Sequence, residues 1–175
     1  MPDVPEYFDE DYINDTQEHL RYLRSMDASR ERAVEAAIDL VRDQGAVTVM
    51  DVADEVSQFG IRILGKETMT IGNHAVGDGV GTTPMADPPN VVLWNCGTVE
   101  FLAVIEAMLA KEPRIVLERT DAATYEAGGM VLLEDYTDDG REGVRLPAID
   151  FGDELFVDGY LVPTWLPVMF AWSGD

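Results

Sequence analysis

The chain has very little lysine. Its 175 residues include 34 Asp and Glu against 12 Lys and Arg, a formal net charge of −22, and Lys66 and Lys111 are the only lysines among those cations. Such an acidic surface repels itself in dilute buffer, but at molar salt the Debye length falls to about 3 Å and the repulsion is screened. Carboxylates hold water and monovalent cations. Replacing Lys by Asp or Glu also removes a long aliphatic stem, so the chain stays dispersed where salt would drive apolar association. The composition predicts a protein of a halophile.

Other scarcities exclude further classes. A single cysteine, Cys96, leaves no intramolecular disulfide and no thiolate cluster for zinc, which suits a reducing cytoplasm. The longest apolar stretch, Leu161 to Trp172, is broken by Pro163 and Pro167 and is too short to cross a bilayer as a helix. The opening residues, MPDVPEYFDEDY, are acidic where a secretion signal would be basic and then apolar. The expectation is a soluble cytoplasmic protein with no membrane contact, no metal and no cofactor. Apolar residues nonetheless make up 46% of the chain and aromatics 9%, enough for a packed core, so the charge does not imply disorder.

The charge divides the chain into three segments. Residues 1–27 hold eight acids and two bases, 28–117 thirteen and seven, and 118–175 thirteen and three, so the central segment is closest to balance. A face that meets a polyanion would therefore lie in the middle. We read 1–27 as an acidic arm ending in a short helix over 11–24, where Ile13, Leu20 and Leu23 give a weak helical pattern. In 29–44, Val34, Ala37, Ile38 and Val41 fall at i, i+3, i+4 and i+7, and Gly45 stands where a left-handed C-cap ends a helix. Thr48 then caps a second helix with Asp51 in its first turn and Val49, Val52, Ala53 and Val56 on one face.

The run RAVEAAIDLVRDQGAVTVMDVADEV, within residues 30–56, resembles the first two helices of a winged-helix domain, joined by a G-x-V-T-x-x-D-V-A step. The resemblance implies that the 28–90 part, with its Gly/Pro-rich loop over 77–90, is winged-helix-like. It also implies a third helix that would enter the major groove. The candidate for that element is Lys66 to Val76. It carries one Lys and a central Gly, and its Thr-Met-Thr-Ile run reads equally well as a strand. Candidate nucleic-acid contacts are Arg30, Arg32, Arg42, Arg62 and Lys66. Clustering of these on one face would favour DNA, and dispersal among acids would favour a protein partner.

Residues 91–175 read as an α+β part, a small sheet packed on one helix. Val91 to Trp94 is a buried-strand run, and Thr98 caps a helix reaching to about residue 111, with Phe101, Leu102, Ile105, Met108 and Leu109 as its stripe. Further strands are expected at 114–119, 130–133, 144–149, 154–157 and 168–172.

Each chemical motif has a plainer counterpart. Cys96, between a strand and a helix, could be a nucleophile with His74 or His19 as base, or a small buried hydrophobe. The glycines of 72–81 lack both the Walker and the Rossmann spacing. Asp135-x-Thr137-x-Asp139-Gly140 imitates a calcium loop, but Leu146 stands where the bidentate Glu belongs. The C-terminal aromatics, with no Lys or Arg between 146 and 175, suit packing rather than base stacking, and Trp165, Phe170 and Trp172 are candidate interface residues. The expectation is a non-catalytic interaction or regulatory protein of a halophile, acting mainly through a protein partner or self-association. The alternatives are a structural or accessory protein of a halophilic virus, a DNA-binding transcription regulator, or a mimic of DNA.

Overall fold

No Gly or Pro interrupts residues 10–44, so the helices expected at 11–24 and 29–44 run together as one, α1 (Glu10–Gln44). Gly45, at φ +80°, ends it and donates its N–H to the Val41 carbonyl at 2.8 Å, the backbone reversal that glycine permits without a Cβ clash. After β1 (Ala46–Thr48), α2 (Val49–Ser57) starts with a complete capping box: the Thr48 hydroxyl accepts from the Asp51 N–H, and the Asp51 carboxylate accepts from the Thr48 N–H. The computed structural model describes residues 10–71, 76–77, 82–83, 90–127, 146–156 and 159–174.

The third element corrects the winged-helix expectation. Leu64–Thr70 is a strand, β2, and not a helix. Its β-branched Thr68 and Thr70 suit an extended backbone, and it pairs antiparallel with β5 (Val91–Gly97). Two short strands follow β2, β3 (Val76–Gly77) and β4 (Thr82–Thr83). After β5 come α3 (Val99–Lys111), β6 (Ile115–Arg119), α4 (Ala122–Ala127), β7 (Thr164–Trp165) and β8 (Val168–Trp172). The fold is α+β. One sheet has the order β1-β8-β6-β3-β4 and the other β2-β5-β7. Strands from 28–90 pair with strands from 91–175 in both sheets: β1 with β8, β3 with β6 and β2 with β5. The two segments share one apolar core, running from Ala33 to Phe170.

The strand expected at 144–149 is represented, where described, by a single parallel bridge from Ala148 to Trp165, and 154–156 form no strand. The expected strand at 130–133, the calcium-like Asp135–Gly140, His74 and most of 72–81 lie outside the described residues.

Three polar devices hold the layers in place. The Tyr125 phenol is buried between α2 and β8. It accepts from the Val49 N–H at 3.1 Å, one of the donors a helix start leaves unpaired, and donates to the Val168 carbonyl. Burial pushes its ionisation well above the ordinary value of 10.0. Arg119 donates to the carbonyls of Asp153 and Asp150 at 2.6 and 2.7 Å, tying 150–153 to β6. Lys111 of α3 pairs with Glu35 of α1. That hydrogen bond raises the ammonium's pKa and fixes the two helices against each other.

Candidate functional site

The apolar stripe of α1 outruns the core that covers it. Ala33, Val34, Ala37, Ile38 and Val41 are buried at 0 to 6% exposure. Continued backwards at the same spacing, the stripe passes Met26, Leu23 and Leu20, which are 37%, 42% and 45% exposed. Heptad spacing links Ile13, Leu20, Val34 and Val41, with Asp27 at the one polar step between them. The helix backbone is continuous throughout, so the exposed part is held out by its own hydrogen bonds and by the anchored half.

A groove opens where the covered half gives way to the uncovered one. It has a volume of about 550 Å³, with Leu23, Met26, Asp27 and Arg30 on the α1 side. The other wall is the first turn of α3, Val99, Glu100 and Ala103, and Arg62 comes from the segment after α2. Thr98 fixes that wall. Its N–H donates to the Ile63 carbonyl at 3.0 Å, its hydroxyl donates to the Arg62 carbonyl, and the same hydroxyl oxygen accepts from the Phe101 N–H at 3.0 Å. With Thr98 committed to the backbone, Val99 stands out at 70% exposure. Leu64, whose partner across the β2–β5 ladder is Gly97, is 81% exposed just before it. The groove's lining mixes the apolar Leu23, Met26, Val99 and Ala103 with two bases, Arg30 and Arg62, and two acids, Asp27 and Glu100.

The candidate cations do not form a single face. Arg30 and Arg62 meet at the groove, and Arg30 pairs with Asp27 at 3.1 Å. Arg32 is exposed two residues on, about 200° round α1 from Arg30. Arg42 lies twelve residues beyond Arg30, roughly 18 Å along the helix axis, and pairs with Asp39 and Asp43. Lys66 is on exposed strand β2. Two of the three candidate interface aromatics lie in the core, and Trp172 is half-buried. Phe170 and Trp165 are 0% and 4% exposed, because β8 runs between β1 and β6 while the Trp165 ring sits edge-on against Tyr125 at 5.2 Å. Trp172 lies under the Arg114 guanidinium at 4.5 Å, and Arg114 in turn holds the Glu112 carboxyl down to about 2 by hydrogen bonding to it.

Cys96 is half-buried at φ +60°, in the irregular stretch of the β2–β5 ladder, and His19 is exposed on α1. Among the described residues no three His, Cys, Asp or Glu side chains are grouped to hold a metal, and no helix is long and apolar enough to cross a membrane. A second depression of about 380 Å³ is lined by Ile149, Asp153, Glu154, Phe156 and Tyr160, with Phe156 and Tyr160 edge to face at 5.4 Å. Reading the sequence alone missed Met26 and Val99 as surface groups. The signal that could have found the arm's role is the heptad spacing that carries Ile13 and Leu20 into register with Val34 and Val41. Comparison with known proteins gives no matching family model, no matching curated protein and no matching solved structure.

Proposed function

We propose that this chain is a non-catalytic protein of a halophile that works through protein contacts, made by the first half of α1 and the groove at its root. The observation that carries this reading is the apolar stripe that continues past the core onto Met26, Leu23 and Leu20. Evenly spaced large apolar side chains on a rigid helix are costly to leave in salt water, where apolar association is strengthened. A helix stripe that the described residues leave partly exposed is what a docking helix presents to a partner.

The DNA reading has less support. The element that would enter the major groove is a strand, and Arg30 and Arg42 are engaged by neighbouring carboxylates. Phosphate contacts supply most non-specific affinity, and a charge of −22 opposes the approach of a duplex at every salt concentration that does not screen it. A fluorescence titration with mixed-sequence duplex at moderate and molar KCl tests the choice. No saturable binding is expected at either salt. Tight binding that weakens steeply as KCl rises would overturn the reading, since it would mean that Arg21, Arg24, Arg30, Arg32 and Arg62 act together on phosphates.

A further inference from the structure

The depression beside β7 gathers two carboxylates and two aromatic rings round one space of about 380 Å³. Phe156 and Tyr160 meet there edge to face at 5.4 Å, and Phe156 is 63% exposed. Asp153 and Glu154 line the same space, with Thr164 beside them and the buried Ile149 as an apolar wall. Among the described residues neither carboxylate is in an ion pair. Arg119, the base that reaches this segment, donates to the Asp150 and Asp153 carbonyls instead, and residues 146–175 contain no Lys or Arg.

Backbone groups fix the frame and leave these side chains to the cavity. On one rim the Asp153 N–H donates to the Asp150 carbonyl at 3.1 Å, across a turn in which Gly152 has φ +98°. On the other rim the Asn90 amide donates to the Tyr160 carbonyl at 2.6 Å, and the Gly159 N–H donates to the Phe156 carbonyl at 2.9 Å. The Thr164 N–H donates to the Asn90 carbonyl at 2.8 Å, which joins this rim to β7. A site held in this way loses little freedom when a ligand enters. It is also separate from the α1 groove: Asn90 precedes β5 and Thr98 follows it, so the two sites stand at opposite ends of that strand, roughly 20 Å apart along its seven residues.

We propose that this cavity binds a guanidinium group, carried by an arginine side chain of a peptide or by a small molecule with the same group. The carboxylates call for a cation, and the rings decide which one. A potassium ion or a lysine ammonium satisfies the carboxylates but must shed firmly held water to touch the rings. A guanidinium is planar and weakly hydrated, so one face lies on an aromatic ring while the N–H groups at its edge reach a carboxylate. The chain builds one such arrangement from its own residues. The Arg114 guanidinium lies 4.5 Å from the centre of the Trp172 ring and donates to both Glu112 carboxylate oxygens, at 2.8 and 2.7 Å. The cavity presents the same two parts, ring and carboxylate, to a guanidinium from outside. In molar salt the long-range pull of the acidic surface is screened, and these contacts supply the selectivity.

The probe is N-acetyl-arginine amide, titrated into the full chain in molar KCl and followed by NMR. It should shift the Ile149 methyl and the Phe156 and Tyr160 ring signals saturably, and the lysine counterpart, of equal charge, should bind at least about fivefold more weakly. Glu154→Gln and Phe156→Ala change exposed positions, so each should keep the parent's melting temperature and weaken binding about fivefold. A blocked peptide with one arginine among neutral residues separates the two sources. Binding about tenfold tighter than that of the amide supports a peptide, and equal binding supports a small molecule. No saturable shift, equal affinity for the arginine and lysine amides, or a Phe156→Ala chain that binds like the parent would each overturn the proposal. So would a large gain in affinity on Arg141→Gln with Arg145→Gln, two arginines outside the described residues, since the chain's own guanidinium would then be what the cavity holds. None of these results bears on the α1 reading, which the duplex titration tests separately.

Discussion

The two halves of α1 share one backbone and one apolar spacing, yet only one of them belongs to the core. From Ala33 to Val41 the stripe is sealed by α2, α3 and β1, while from Leu20 to Met26 it faces outwards. The difference teaches that helical periodicity specifies a helix but not what covers it. In the covered half, each apolar residue contributes on the order of 1.5–3 kcal/mol by leaving water. In the uncovered half, Leu20, Leu23 and Met26 keep 37–45% of their surface in water and contribute correspondingly less to folding.

The sharpest way to break the comparison is a charge in each half. Val41→Asp places an unpaired carboxylate at a fully buried position and should cost about 4–5 kcal/mol or unfold the chain, read by thermal melting. Next in size is salt. Melting in molar KCl should lie more than about 10 °C above that in dilute buffer, because screening relieves self-repulsion in the compact body, and equal midpoints would remove the halophilic reading.

Tyr125→Phe acts only on the covered side. It leaves the Val49 N–H and the Val168 carbonyl buried without their partner and should cost about 1–3 kcal/mol. The parent should also lose stability as pH rises above 10, since the unfolded phenol ionises there while the buried one stays protonated. That contribution is fully present below pH 10, and Tyr125→Phe should flatten its alkaline decline. Thr48→Ala, which removes the α2 cap, should cost about 1 kcal/mol by chemical denaturation. Smallest of all is Leu23→Asp, expected within about 0.5 kcal/mol of the parent. A loss as large as that of Val41→Asp would show that the arm is covered within its own chain.

How much of this was legible beforehand follows the same divide. The stripes of α2 and α3, the Gly45 stop and the Thr48 and Thr98 caps could be read directly, because each is a local device whose chemistry sits within a few residues. The run 66–76 could not be decided, since β2 becomes a strand only through pairing with β5 some 25 residues away. Trp165 and Phe170 looked like surface candidates because their partners, Tyr125 and the flanking strands β1 and β6, lie far from them in sequence. The arm was underread for the opposite reason: its stripe is sparse, with Asp27 and Arg30 among its steps, and Leu20, Leu23 and Met26 stay 37–45% exposed. Arg62 entered the groove through its backbone, as its carbonyl accepts the Thr98 hydroxyl, a role that residue type does not announce.

The place of β8 has a further consequence. It is the last of the strands in chain order, yet it lies inside its sheet, with β1 on one side and β6 on the other, so that Ala46 and Ala171 are Cα partners. A nascent chain cannot complete that sheet until residue 172 has left the ribosome. Until then β1 and β6 have no strand to join them, and the loop between Ala46 and Ala171 must close before the pairing returns any free energy. During synthesis α1 is therefore the one large element able to form early from local contacts, with an apolar stripe exposed along its whole length. Closure of this sheet should be abrupt, and in ribosome-bound intermediates stalled before β8 the strands β1 and β6 should be digested by protease far more readily than in the finished chain.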